Sequence, residues 1–358
     1  MKRVNKLLSV LAAGVLFAGA LAGCGGSKET KADTIKIGGC LEMTGGSASY
    51  GISSKNGIEL ALKNVNQKGV LGGKKVELVV ADNKSEASEA LNAMQKLISQ
   101  DKVVAVIGPN LSSACIASSA INNAGKVLAI SPLGTNPDVT VDPKTGKTRD
   151  YNFRACFIDP FQGTVMANFV ANGCEVVAEE AYLQKDTDYK STLTKVKAAN
   201  PDILYIPGYY QEVGLIIKQA REIGLDIPVA GGDGWDSAKL PEIAGKDALN
   251  GTFFCNLYSP NDTSDLNKNF VAEYKNLYKS EPDVFAALSH DATMAIVKAI
   301  EDAKSADPAQ IAVAMAKIKD LQGVTGATTF DDKHNPIKSA VIIEHVDGKQ
   351  TFKTKINP

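Results

Sequence analysis

The chain has 358 residues, more than one core accommodates and comfortable for two domains. Hydrophobic residues make up 44% and charged residues 22%, an ordinary soluble balance, and the formal charge of −1 argues against nucleic acid as a partner.

The N-terminus stands apart from that average. Lys2, Arg3 and Lys6 precede an apolar run over 7–22, the basic n-region and h-region of a secretory signal. The run is short for the roughly 20 residues a membrane span needs. It ends in Leu21-Ala22-Gly23-Cys24, which resembles the lipobox of bacterial lipoproteins. That resemblance implies cleavage before Cys24 and diacylation of its thiol; plain signal cleavage is the alternative. Cutting there removes three cations, Lys2, Arg3 and Lys6, and takes the formal charge from −1 to −4. GGSKETKADT then follows as a tether without periodicity. Five further cysteines remain, Cys40, Cys115, Cys156, Cys174 and Cys255, with no CxxC spacing; buried thiols acting as small hydrophobes account for them best.

Beyond the tether, strands and helices alternate. A strand over 35–40 leads to a helix over 51–68, where Ile58, Ala61, Leu62 and Val65 fall at helical spacing. A strand over 75–81 follows. Ser85 can cap the next helix, with Glu86 and Glu89 in its first turn and Leu91, Met94, Leu97 and Ile98 inward. Strands over 103–107 and 126–130 flank a helix from Ser112. Their unbroken apolar runs, KVVAVIG and KVLAIS, read as parallel strands covered on both faces. A polar connection over 137–154 leads into a second alternating run: a helix over 161–171, a strand over 175–180, a helix over 189–199, a strand over 203–206, a helix over 212–223 and a strand over 228–231. A short helix near Ala238 and a strand over 251–255 come next. Helices over 265–279, 285–304 and 308–317 and strands over 327–330 and 339–345 close the chain. The order predicts two doubly wound α/β lobes with several crossings between them.

Ligands of open α/β sheets bind beyond the carboxyl ends of the strands. After Ile107 comes GPNLSSAC, where Ser112 and Ser113 open a helix whose first N–H groups are free for an anion; ordinary N-capping is the bland reading. After Ile130, SPLGTNP places Thr135 on a Pro- and Gly-shaped loop. After Ile206, PGYYQE offers Tyr209 and Tyr210 as flat faces with polar tips, or simply as packing between lobes. After Ala230, GGDGWD carries Asp233, fit to hold an ammonium or to make a turn. Together these residues predict a receptor for a zwitterion held between two lobes that close. His290, His334 and His345 share no metal-ligand spacing, no GxSxG or P-loop occurs, and GGCLEMTGG is not GxGxxG. His290-Asp291 reads as surface or core capping. No cofactor is expected, and the chain is not expected to be an enzyme.

The lipobox, IKIGGCLEMTGGSASYG, VVAVIGPNLSSACIAS, ISPLGTNPDVT, YNFRACFIDPFQG, AANPDILYIPGYYQEVGLIIKQAREIGL and VAGGDGWDS resemble, in order, the branched-chain amino acid (leucine/isoleucine/valine)-binding proteins of ABC transporters. The resemblance implies the type I periplasmic-binding fold: two parallel-sheet lobes joined by a multi-strand hinge. It assigns 1–23 to the signal peptide, 24–33 to the tether, 34–154 with 258–335 to lobe 1, and 155–257 with 336–358 to lobe 2. It further implies that Ser112, with Ser113 alongside, receives the ligand carboxylate. The Thr135 hydroxyl and the Leu133 carbonyl hold the amino and carboxyl groups, Asp233 takes the ammonium, and Tyr209 and Tyr50 line the site. Phe285 matches the side-chain pocket loosely.

One departure follows FQG. In the family a strand, a loop with an aromatic ligand contact and a helix precede the strand matching CEVVAEEAY; here only 171–173 separate helix from strand. The second lobe is therefore expected to lack one strand–helix unit. The implied role is an extracytoplasmic, lipid-anchored, monomeric receptor that delivers an aliphatic amino acid to an ABC permease. The alternatives are a sensor or receptor for another small solute, such as an amide or short peptide, and a copy impaired in binding by the missing unit.

Overall fold

The computed structural model describes residues 34–170 and 175–357. Cys24, the tether and Cys174 lie outside the described residues. Two five-stranded sheets organise the molecule. The first has the order β2-β1-β3-β4-β5 and is parallel throughout, from β1 (Ile35–Leu41), β2 (Val76–Asp82), β3 (Ala105–Ile107), β4 (Leu128–Ser131) and β5 (Asn152–Arg154). Helices α1 (Ala48–Lys68), α2 (Ala87–Ser99) and α3 (Ser112–Gly125) make the crossovers. Every residue of β3 and β4 is buried, as their unbroken apolar runs require of strands covered on both faces. Each fully buried aliphatic side chain there contributes about 1.5–3 kcal/mol.

The chain then passes through α4 (Asp159–Val170) and α5 (Lys190–Ala198) into the second sheet. That sheet has the order β10-β9-β8-β7-β6, built from β6 (Leu204–Ile206), β7 (Val229–Gly231), β8 (Thr252–Asn256), β9 (Ala340–Val346) and β10 (Lys349–Ile356), with α6 (Tyr210–Glu222) and α7 (Leu240–Ala244) between the first three. After β8 the chain returns to the first half as α8 (Asp265–Tyr278), α9 (Val284–Ala303) and α10 (Pro308–Met315). Helix α9 packs along α1. At their contact a Cβ on Gly57 would lie 2.1 Å from the carbonyl oxygen of Ala286, so only glycine permits the approach.

Four expectations need correction. The second sheet is mixed, not parallel: β6, β7 and β8 run parallel, but β9 pairs antiparallel with both β8 and β10. The chain re-enters this sheet from the first half, and Asp347 and Gly348, both at positive φ, turn it into a hairpin. The segment 175–180 is not a strand. It runs as exposed coil, with Val176 79% and Val177 53% exposed. A strand exists only with a neighbour, and β6 ends the sheet on that side without one. Ser85 does not cap α2; its hydroxyl instead donates to the Thr44 carbonyl and accepts from the Ser47 N–H. The strand over 327–330 is reduced to single bridges, Leu321 with Thr328 and Phe330 with Pro336. The polar connection to Arg154 also holds β5, whose three residues pair with β4.

Candidate functional site

The carboxyl ends of β3 and β4 carry two loops of the first half. Gly108, directly after β3, has φ +93, and a Cβ there would sit 2.3 Å from the Cys40 carbonyl oxygen. Only glycine lets the chain pass so close to β1 before it rises into α3. The first bond into α3 runs from the Cys115 N–H to the Leu111 carbonyl, so the N–H groups of Ser112, Ser113 and Ala114 precede it and have no partner among the described residues. Ser112 is half-buried and its hydroxyl accepts from the Asn136 N–H at 3.3 Å; Ser113 is exposed. Beneath this turn lies Glu42, fully buried. Its carboxylate accepts from the backbone N–H groups of Asn110 and Leu111 and from the side-chain amides of Asn110 and Asn83. Burial pushes its pKa up, opposed by the amide bonds from Asn83 and Asn110.

The loop after β4 is held from within. The Ser131 hydroxyl accepts from the Gly134 N–H, and the Thr135 carbonyl accepts from the Asp159 N–H. Arg154 at the end of β5 takes the carbonyls of Gly134, Asn136 and Pro137. Among the described residues nothing hydrogen-bonds the Leu133 carbonyl or the Thr135 hydroxyl.

The second half contributes the loop after β7. Asp233 is 7% exposed, its backbone N–H donates to the Gln162 side chain, and among the described residues its Oδ2 has no hydrogen-bond partner. Desolvation pushes its pKa up to about 7, with the nearby charge of Asp159 adding to the effect. Asp159 also bonds Thr135, so the two loops converge on one region. Tyr209 opens α6 there; burial raises its phenol pKa, and the Asp233 charge adds to the rise. A buried carboxylate with one oxygen atom unpartnered and no counter-charge is costly, and an ammonium is the group that would relieve it.

Tyr50 and Phe285 lie against each other where the two halves meet. Tyr50 is 1% exposed; its ring stacks on Phe285 at 3.9 Å, and its hydroxyl donates to the Gly234 carbonyl across the two halves. Phe285 is therefore covered by Tyr50 on one face. Of the rest of this seam the sequence points only to Tyr210, as packing between lobes. The Tyr210 hydroxyl donates to the Gly46 carbonyl at 3.0 Å, Ser49 and Ser237 share a bond of 2.9 Å, and Asp236 accepts from the Val284 N–H at the start of α9. Glu42, Arg154 and Gln162 were equally invisible, since charged and amide side chains read as surface.

His290 and Asp291 form a structural knot, as expected: Asp291 accepts from the N–H groups of Val324 and Thr325 and from the Thr325 hydroxyl, and sits 3.9 Å from the Lys338 ammonium. Cys40, Cys115, Cys156 and Cys255 are free and buried. Among the described residues no group of three His, Cys, Asp or Glu side chains is placed to hold a metal ion. An open hollow of about 670 Å³ among Lys218, Arg221, Asp226 and Lys246 lies elsewhere, and its arginine is committed to the carbonyls of Leu225 and Ile227.

A two-sheet α/β body of this kind is the type I periplasmic-binding fold. The sequence profile described as periplasmic binding protein matches residues 34–171 and 148–350, and the chain belongs to that family. It is 28% identical to the leucine-, isoleucine-, valine-, threonine- and alanine-binding protein of Pseudomonas aeruginosa, over 93% of this chain and 94% of that one. Among solved structures it is similar to the leucine-binding protein LivK of Thermotoga maritima (34% identity, TM-score 0.84, 90% of this chain and 99% of that one). It is also similar to the branched-chain amino acid binding protein LivJ of Streptococcus pneumoniae in complex with isoleucine (34% identity, TM-score 0.85, 91% and 100%).

Proposed function

We propose that this protein is the extracytoplasmic solute-binding lipoprotein of an ABC importer and takes a branched-chain, aliphatic amino acid between its two halves. The observation that carries the reading is the buried Asp233 carboxylate, whose Oδ2 lacks a partner. It requires a cationic group, while the free N–H groups of α3 require an anionic one. An α-amino acid supplies both. In the proposed complex Ser112 and Ser113 receive the carboxylate, Thr135 and the Leu133 carbonyl share the amino and carboxyl groups, Asp233 takes the ammonium, and Tyr209 and Tyr50 enclose the ligand. The names of the P. aeruginosa and S. pneumoniae relatives support the ligand class.

In this reading lobe 1 comprises 34–154 and 258–335, and lobe 2 comprises 155–257 and 336–358. Cys24 carries the lipid anchor, and the closed monomer delivers its ligand to a membrane permease. Lobe 2 lacks one strand–helix unit. The alignment with the P. aeruginosa relative supports that: it runs to 366 positions yet covers 93% of a 358-residue chain. The relative thus has in total roughly 30 positions without a partner here, about the size of such a unit. The bare outer edge of β6 and the exposed segment 175–180 point the same way.

Calorimetric titration with leucine, isoleucine and valine tests the ligand. Saturable heat with at least one of them is expected; a cooperatively folded sample that gives none with all three refutes the assignment.

A further inference from the structure

Arg154 has no role in the site as drawn so far, yet it is 0% exposed and sits behind the ligand loop. Among the described residues no carboxylate lies within ion-pair distance of it. Its partners are carbonyls and one hydroxyl. One terminal nitrogen donates to Gly134 O at 2.7 Å, and the other donates to Asn136 O at 2.8 Å, Pro137 O at 3.2 Å and Thr140 Oγ1 at 3.1 Å. Burying a cation without a counter-charge costs several kcal/mol, so its use here needs a reason. The accounting of the loop supplies one. Arg154 takes the carbonyls of residues 134, 136 and 137, and the Asp159 N–H takes that of Thr135. Four successive carbonyls are thereby committed, those of Asn136 and Pro137 also to the N–H groups of Val139, Thr140 and Val141, while among the described residues the Leu133 carbonyl and the Thr135 hydroxyl have no partner. The planar fork of a guanidinium can span carbonyls at several points of a turn; an ammonium cannot do so in the same geometry.

We infer that Arg154 is a positioning residue that sets the 133–137 loop so that Leu133 and Thr135 present their oxygen atoms to the ligand. This rests on the amino-acid reading above, and it assigns to Arg154 an effect exerted through Thr135 and not through its charge.

A double-mutant cycle on the full chain tests it. Arg154→Lys keeps the charge and loses the fork, and Thr135→Ala removes the ligand-facing hydroxyl. Leucine affinity is measured by calorimetry well below each variant's melting temperature. Arg154→Lys is expected to fold and to bind about 10-fold more weakly, a typical loss for an interaction near 1.4 kcal/mol. Thr135→Ala, costing about 10-fold in the native background, is expected to cost under about 3-fold in the Arg154→Lys background, because the two act as one unit. Native affinity in Arg154→Lys, or losses that multiply independently, overturns the assignment. Should Arg154→Lys not fold, Thr140→Val removes one acceptor of the fork and replaces it in the cycle: the same non-additivity with Thr135→Ala is expected, and independent losses or unchanged affinity overturn the assignment. Native protein that binds none of leucine, isoleucine and valine overturns the amino-acid reading along with this one. Native binding with additive variants overturns only the role of Arg154.

Discussion

The hydroxyl of Tyr50 on α1 is bonded to the carbonyl of Gly234, the residue that follows Asp233. The same hydroxyl accepts from the Tyr210 N–H at 3.3 Å, while the Tyr50 ring stays stacked on Phe285. One oxygen atom thus joins the first half to two loops of the second, next to the carboxylate proposed to bind the ligand. Tyr50→Phe keeps the stack and removes the bridge. Leucine affinity is expected to fall about 3- to 10-fold, one or two neutral hydrogen bonds' worth, mostly through faster dissociation. Stopped-flow release experiments check this; an unchanged off-rate would show that closure does not use the bridge.

The role proposed for Asp233 implies pH-dependent binding. Its pKa stands at about 7, mainly through desolvation, and an ammonium ligand requires the ionised form. Below pH 7 the carboxyl must first release its proton, so affinity is expected to fall from pH 7 to pH 5, by up to about tenfold per unit. Binding at pH 6 should release protons to the buffer, seen as a dependence of the calorimetric heat on buffer ionisation enthalpy. A flat profile over this range contradicts the role of Asp233.

The same shift predicts a trade of stability against function. A carboxyl whose folded pKa lies above its unfolded value leaves the fold most stable below the unfolded pKa, near 3.8, and that stability is lost progressively as pH rises to about 7. At pH 8 the ligand-free protein therefore carries a buried, unpaired charge. Asp233→Asn should stabilise the ligand-free form at pH 8 by about 1–3 kcal/mol, with a smaller gain at pH 5, and should cost about 10- to 100-fold in leucine affinity. Thermal melts at both pH values, with and without leucine, provide the measurement. Destabilisation at pH 8 would mean that Asp233 has a partner already.

Gly57 is a point of close approach between α1 and α9, where a Cβ would meet the Ala286 carbonyl oxygen at 2.1 Å. Gly57→Ala raises helix propensity but forces the two helices apart. A net loss of about 1–3 kcal/mol is expected in denaturant unfolding, since the overpacking outweighs the propensity gain. A stabilised variant would refute the packing described here.

The segment after α4 offers the opposite expectation. Val176 and Val177 are exposed, so Val176→Lys and Val177→Lys should each change stability by less than about 0.5 kcal/mol. A loss above about 2 kcal/mol in either variant would place the segment in the sheet.

Legibility divides along physical lines. The parallel strands of the first sheet show in the sequence because burial on both faces demands unbroken apolar runs such as VAVI and VLAI. The loops at their carboxyl ends follow from topology, which brings Ser112, Thr135 and Asp233 to notice. Val176 and Val177 mislead for the same reason: their local pattern is that of a strand, but a strand depends on a partner elsewhere in the chain. β10 escapes notice because KQTFKTKI is mostly polar, although Asp347-Gly348 is a hairpin signal. Glu42 and Arg154 stay hidden because charged residues are almost always superficial, and nothing local announces that backbone amides and carbonyls will surround them.

Among the described residues, the outer edge of β6 leaves the backbone groups of Leu204, Tyr205 and Ile206 without a neighbouring strand, beneath a side chain, Tyr205, that is 44% exposed. Cooperative units with few shared bonds open first. The molecule therefore has a built-in point of failure. Amide hydrogens along β6 and the coil before α5 will exchange ahead of those in β3 and β4, and a protease will find its first cut there while the receptor's other half is still intact.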